Sequence, residues 1–317
     1  MSNENPTNQG VIGKMALKDR LLRIVVGTSL VGAVIFAETA LSAQPVLAGA
    51  EVVEFESVAY TYPPTPFKIK QAEKLGIPVE TKTEPSIRLT GYLGKPAGEG
   101  PFPAVVLMQG CASVSESDLA VEVVERWNEV WSDRLVAWGY VVLSVDSFTP
   151  RGTKYICEAR RGSTTPWSGA LDAYGAKRYL STRPFVDPTR IAAMGMSHSG
   201  TTILEIIKQS TSTGLGMKPF GAAVALYPLC GEPEPIDTPT LVLIGGADTK
   251  TPADQCVRYL DRLQRPHEMT LKVFPGAHHV FDHPGIDFEE LGVIVRSDPE
   301  AATQAIRMTR EFLSERL

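Results

Sequence analysis

Cysteine is scarce in this chain, and basic charge is not in excess. Four cysteines among 317 residues, Cys111, Cys157, Cys230 and Cys256, are too few for a fold built on disulfides. None lies in a Cys-x-x-Cys spacing, which removes a zinc ribbon. Lys and Arg number 31 against 36 Asp and Glu, a net charge of -5. There is accordingly no electrostatic footprint for nucleic acid and no polybasic face for anionic lipid. No segment repeats and no tract is of low complexity. The longest uncharged apolar run, Ile24 to Ala37, has 14 residues, short of the ~20 a helix needs to cross a ~30 Å hydrocarbon core. What is present is an ordinary globular balance, 43% hydrophobic, 21% charged and 8% aromatic. That suffices for a well-buried core and leaves an enzyme or a binding domain as the classes to separate.

The apolar run has a specific setting. Lys14, Lys18, Arg20 and Arg23 precede it, and Ala48-Gly49-Ala50 follows it, the arrangement of a secretory signal with a small-residue cleavage site. The expectation is a signal over residues 1–50 and a periplasmic or secreted mature chain, 51–317, forming one domain without stable membrane insertion. A retained anchor through residues 24–37 and a cytosolic fate are the alternatives. Without the first 50 residues the chain keeps 27 basic and 33 acidic groups, net -6.

From Glu51 onward strand-like and helix-like segments alternate. Residues 52–58 and 86–93 read as early strands, joined by a connection with Pro63, Pro64, Pro66 and Pro78 in which no regular element is expected. Short Val-, Ile- and Leu-rich runs follow at 104–108, 140–145, 191–194, 222–226, 240–244 and 270–274, the pattern of strands buried on both faces. Helical periodicity lies between them at about 118–137, 168–181, 198–210 and 253–264, with a last helix near 300–316. This βαβα order predicts a mostly parallel sheet flanked by helices. Trp127, Trp131 and Trp138 share one helical face, a core stripe rather than an aromatic binding box.

The segment Met194-Gly195-Met196-Ser197-His198-Ser199-Gly200 stands between a predicted strand and a predicted helix. Gly, any residue, Ser, any residue and a small residue in that setting form a nucleophile elbow. This sharp turn exposes the Ser197 hydroxyl at the carboxyl edge of the sheet, beside a helix N-terminus. A serine hydroxyl needs a base, and the base needs a carboxylate. The runs at 240–244 and 270–274 lead into Gly245-Gly246-Ala247-Asp248 and Pro275-Gly276-Ala277-His278-His279, which places Asp248 and a histidine on loops at the same edge. Asp282 is too close behind His279 to orient it, and Asp237 precedes its strand. His279 and His283 with His278 would suit a metal on a helix, but Pro275, Gly276, Pro284 and Gly285 argue against one. No metal and no cofactor are expected.

These motifs, together with Phe102-Pro103-Ala104-Val105-Val106-Leu107-Met108-Gln109-Gly110-Cys111 and Asp146-Ser147-Phe148-Thr149-Pro150-Arg151-Gly152, resemble the dienelactone hydrolase-like branch of the α/β-hydrolases from about Ile87 to the C-terminus. The resemblance implies an α/β-hydrolase fold with Ser197 as nucleophile, Asp248 as acid and His279, rather than His278, as base. It also implies an oxyanion hole from the backbone N–H groups of Cys111 and His198. Three positions depart from the family pattern: Ser197 replaces the namesakes' cysteine, Ser199 a glycine, and Gln109 a histidine. Arg151, Arg160 and Arg161, in the long loop after Asp146, either receive a substrate carboxylate through bidentate hydrogen bonds or form loop salt links. Export and strand adjacency predict Cys111–Cys157 and Cys230–Cys256 disulfides, the alternative being four buried thiols.

The expected activity is hydrolysis of a small carboxylic ester or lactone through an acyl-enzyme. A peptidase or amidase using the same triad and a silent fold that only binds are the alternatives. Acyl length, alcohol group, substrate carboxylate and oligomeric state are not encoded in readable form, because pocket walls come from loops.

Overall fold

In the computed structural model, residues 49–111, 118–152, 165–265, 268–290 and 292–317 are described. They fall within one compact unit, Ala43–Leu317. The expected signal and anchor, apart from Gly49 and Ala50, lie outside the described residues, as do Cys157, Arg160 and Arg161.

Eight strands form the central sheet: β1 (Glu51–Glu56), β2 (Arg88–Gly94), β3 (Phe102–Met108), β4 (Val141–Asp146), β5 (Val186–Met196), β6 (Ala222–Leu226), β7 (Thr240–Gly245) and β8 (Met269–Phe274). Their spatial order is β1-β2-β4-β3-β5-β6-β7-β8. β2 is antiparallel to both β1 and β4, and every later pairing is parallel. Burial follows from position in the sheet. At the antiparallel edge β1 hides only Val53 and Phe55, on one face, whereas β4, β6 and β7 are buried at every residue. Strands covered on both faces have no use for polar alternation.

The helices are α1 (Pro66–Leu75), α2 (Asp118–Ala137), α3 (Pro166–Ser181), α4 (His198–Ile206), α5 (Gln209–Leu215), α6 (Ala253–Arg262) and α7 (Pro299–Arg316). The expected fold class is the one observed, with two local corrections. The proline-rich connection holds a helix after all, because Pro66 sits in its first turn, where no N–H is needed, and the Thr65 side chain caps Lys68 N. The helix expected over 198–210 breaks at Ile207 and Lys208. There the Lys208 backbone is extended and bridges to Ile236, while its ammonium holds Glu205 and Glu234, both at 2.8 Å. Two small antiparallel pairs, Tyr60–Thr61 with Thr83–Glu84 and Asp287–Glu290 with Val293–Arg296, were not legible as strands.

The parallel register is what builds a site. Met108 is level with Gly195, Gly195 with Ala225, Leu226 with Leu243, and Gly245 with Phe274. The loops after β3, β5, β6, β7 and β8 therefore leave the sheet along one edge. Cys230, after β6, and Cys256, on α6, form the expected disulfide, with Cα atoms 5.0 Å apart. Cys111 is also disulfide-bonded.

Candidate active site

Ser197 sits between β5 and α4 with φ 51° and ψ -115°, a backbone region that a residue with a Cβ rarely occupies. The surrounding chain holds it there. Ser197 N donates to Leu226 O at 2.9 Å, and Ser197 O accepts from Thr201 N at 2.9 Å. The elbow needs its glycines for space: a Cβ on Gly195 would stand 2.6 Å from Ser199 O, and one on Gly200 2.6 Å from Leu226 O. Both obstacles are backbone, so neither can move aside cheaply.

The three residues expected to act together are brought together. His279 Nε2 lies 3.0 Å from Ser197 Oγ, and His279 Nδ1 lies 2.7 Å from Asp248 Oδ2. All three side chains are buried. Asp248 accepts further hydrogen bonds from Lys250 N at 2.8 Å, Thr251 N at 2.9 Å and Thr251 Oγ1 at 2.8 Å. Burial alone would raise the Asp248 carboxyl, but the hydrogen bonds and charge of His279 and the Thr251 donors outweigh it and hold the group below the usual carboxylate range. With Asp248 on Nδ1, the Nε2 atom is left as acceptor toward the serine hydroxyl, the arrangement that removes a proton from a nucleophile.

His278 is turned elsewhere, its Nδ1 3.1 Å from Ala247 O, so it supports the Asp248 loop and not the serine. The His198 imidazole packs near Phe148, with ring centroids 6.3 Å apart, and burial lowers its pKa below the ordinary histidine value. Its backbone N–H belongs to the first turn of α4, where the helix offers no acceptor and its dipole favours negative charge. The loop after β3 meets the elbow directly: the Ser199 hydroxyl donates to Gln109 O, and a Cβ on Gly110 would stand 2.8 Å from Met196 Cε. Cys111, the other expected oxyanion donor, is the next residue. The two departures Ser199 and Gln109 are thus joined to each other. The Gln109 amide oxygen also accepts from Asn128 Nδ2 at 3.2 Å, tying the same loop to α2.

Of the readings open for Arg151, the salt link is the one formed. Its Nη1 and Nη2 bind the two oxygens of Asp172 at 2.7 and 2.9 Å, and Nη1 also donates to Ser147 O at 2.6 Å. The loop salt link named as one of the two readings is thus present, and the guanidinium fork faces Asp172. Asp282 stands apart from the Asp248–His279 pair, in line with its spacing. It does not touch His279; its carboxylate accepts from Trp127 Nε1 at 2.9 Å, Trp131 Nε1 at 2.7 Å and Tyr227 Oη at 2.9 Å. Thr251 and Tyr227 were missed at the sequence level. Thr251 had a signal, a hydroxyl three residues after the acid in a turn. Tyr227 had only its position, one residue beyond β6 at the working edge.

Comparison with known proteins agrees with this fold. Over 92 residues the chain is 33% identical to a probable dipeptidyl-aminopeptidase B of Fusarium vanettenii, a match that takes in 28% of this chain and covers only 9% of that relative's length. Among solved structures, the propionate-bound esterase 2 of Thermogutta terrifontis superposes with a TM-score of 0.56 at 17% identity, over 86% of this chain and 96% of that one. A Klebsiella pneumoniae protein assigned to the dienelactone hydrolases gives a TM-score of 0.54 at 15% identity, over 84% and 99%. At such identities the likeness is one of fold, an α/β-hydrolase. The family model of the dienelactone hydrolases matches residues 89–317, which include the elbow, Asp248 and His279. The chain belongs to the dienelactone hydrolase family, a family of hydrolases acting on ester bonds.

Proposed function

We propose that residues 51–317 form a serine hydrolase that cleaves a small carboxylic ester or lactone through an acyl-enzyme. The observation that carries this reading is the continuous path Ser197 Oγ, His279 Nε2, His279 Nδ1, Asp248 Oδ2, with steps of 3.0 and 2.7 Å between side chains. In acylation the Ser197 O–H bond breaks, its proton passes to Nε2, and Oγ bonds the carbonyl carbon. The carbonyl oxygen becomes an oxyanion facing the backbone N–H groups of Cys111 and His198. Collapse breaks the bond to the leaving oxygen, which takes the proton from Nε2. Water then gives a proton to the same nitrogen as its oxygen bonds the acyl carbon; collapse breaks the C–Oγ bond, Oγ takes the proton back from Nε2, and the acid leaves with Ser197 free.

The test is hydrolysis of p-nitrophenyl esters of graded acyl length, with lactones alongside and anilides as an amide arm. The short match to a dipeptidyl-aminopeptidase is the reason for the anilides. Faster turnover of anilides than of esters would transfer the activity to amide bonds. A chain inert to all three and unlabelled by a fluorophosphonate would reduce it to a binding fold.

The pH profile supplies an independent check. Because the Asp248 pKa is depressed, its stabilising contribution is fully present above the unfolded carboxylate value of ~3.9 and is lost only as pH falls through the lower folded value. A loss of kcat/KM that sets in above pH ~4 is therefore not expected to come from protonation of Asp248, and an acid limb that begins only below pH ~4 would count against this assignment.

We also assign residues 1–50 to an export signal. The Cys230–Cys256 bond and the bonded state of Cys111 support an oxidising destination. N-terminal sequencing of chain recovered from the periplasm is expected to begin after Ala50. Intact chain confined to the membrane pellet would instead favour an anchor at residues 24–37.

A further inference from the structure

We infer that Asp282 is a positioning residue for His279 and acts through Tyr227: its carboxylate anchors the phenol, whose ring sets the tilt of the imidazole. This rests on the triad reading above and goes beyond it, because neither residue belongs to the hydrogen-bonded path.

The hydrogen bond from Nδ1 to Asp248 fixes one atom of the imidazole and leaves rotation about it to be settled. The second side-chain torsion of histidine is broad and supplies little restraint of its own. Nε2 must nevertheless point at Ser197 Oγ. The surface that blocks the other tilts is the Tyr227 ring, T-shaped to His279 with centroids 4.9 Å apart and planes at 65°.

Tyr227 is itself held at every point. It is fully buried, and its backbone has φ 38°, unusual for a side chain of this size. Tyr227 N donates to Leu243 O at 2.7 Å. Tyr227 O stands 3.1 Å from Thr251 Oγ1, the hydroxyl whose one proton goes to Asp248 at 2.8 Å. At the far end of the ring, Oη donates to Asp282 Oδ1 at 2.9 Å. Asp282 Oδ2 is pinned by the indoles of Trp127 and Trp131 on α2. The tryptophan stripe that packs the core therefore ends on a carboxylate three residues past the base.

A buried carboxylate is a costly way to fill space. Taking it out of water is offset only if its lone pairs are met, and an apolar residue of similar size is often as stable. Here three donors from two other elements converge on it, which suits orientation better than packing. Burial, then the charge of Asp282, pushes the Tyr227 phenol well above the ordinary tyrosine range, so it remains a donor wherever the enzyme works. Among the described residues, Asp248 hydrogen-bonds the His279 imidazole and the Tyr227 ring packs against it. Arg134 lies near Asp282 with its guanidinium 4.8 Å over the Trp131 ring.

The experiment compares wild type, Tyr227→Phe, Asp282→Asn and the double variant on p-nitrophenyl acetate, with near-UV circular dichroism as the check on folding. Tyr227→Phe keeps the ring and removes only its anchor. Its kcat is expected to fall roughly 5- to 20-fold with KM unchanged within about 2-fold, Asp282→Asn to match it, and the double variant to lose no more than the worse single one. A folded Tyr227→Phe with wild-type kcat overturns the inference, and so does a double variant whose losses multiply. Should Asp282→Asn fail to fold, Tyr227→Phe against wild type decides alone. Fluorophosphonate labelling separates the two levels. Wild type that leaves Ser197 unlabelled overturns the triad and this inference with it, whereas labelled wild type beside an unimpaired Tyr227→Phe overturns only this one.

Discussion

Ser197→Ala is expected to lower kcat by roughly 10⁴- to 10⁶-fold without unfolding the protein, and His279→Ala to do nearly the same, because in the proposed triad the members act as a unit and losing either stops the same step. The serine side chain is small and its hydroxyl bonds only the imidazole among the described residues, so alanine leaves the elbow's backbone contacts in place. Asp248→Asn is expected to cost somewhat less, on the order of 10³- to 10⁴-fold. An amide there can present N–H to Nδ1 and favour the wrong tautomer, yet Thr251 still has an acceptor. His278→Ala is expected to stay within a few-fold of wild type, since among the described residues its ring hydrogen-bonds Ala247 O. Purified variants assayed on one activated ester, with active-site counting by fluorophosphonate, check all four. An inactive His278→Ala beside an active, folded His279→Ala would exchange their roles.

How much of this was legible beforehand follows from the range of each interaction. The elbow could be read because its constraint is local: Gly195 and Gly200 are forced by backbone within a few residues or on the next strand. Asp248 and His279 could be read because the parallel sheet sends consecutive loops to one edge. The Cys230–Cys256 pairing followed from the same adjacency. The network around Asp282 could not be read, since it joins residues 151 and 155 positions apart and nothing in a local spacing records such a contact. Trp127 and Trp131 were correctly placed in the core as apolar bodies, while their indole N–H groups, which need a partner once buried, pointed to a destination that only the fold reveals. Helix α1 was hidden by its own composition. Proline counts against regular structure everywhere except the first turn, and Pro66 occupies that turn.

Arg151→Met is expected to destabilise the folded state by about 3 to 5 kcal/mol, the usual consequence of leaving one partner of a buried ion pair without the other. The Asp172 side chain is wholly buried on α3, and that of Arg151 is 12% exposed. Burial already pushes the Asp172 carboxyl up, and the two hydrogen bonds from Arg151 offset only part of that. Without the guanidinium the carboxylate must either remain charged in an apolar setting or take up a proton. The sign of the pH dependence follows. A carboxyl whose folded pKa is raised contributes stability that is full below its unfolded value and is lost as pH rises through the folded value. The penalty of Arg151→Met should therefore be smallest in mild acid and largest above neutrality. Adding Asp172→Asn removes the stranded charge and should restore most of the loss, since a neutral pair can be as stable as a buried ionic one. Urea unfolding of wild type, both single variants and the double variant at pH ~5 and ~8 measures this. A penalty equal at the two pH values, or a double variant no better than Arg151→Met, would mean that the pair holds the loop by shape and not by charge. That loop carries Phe148 to the His198 ring, next in sequence to Ser197, so the stability lost by Arg151→Met should be accompanied by a loss of turnover that Asp172→Asn also relieves.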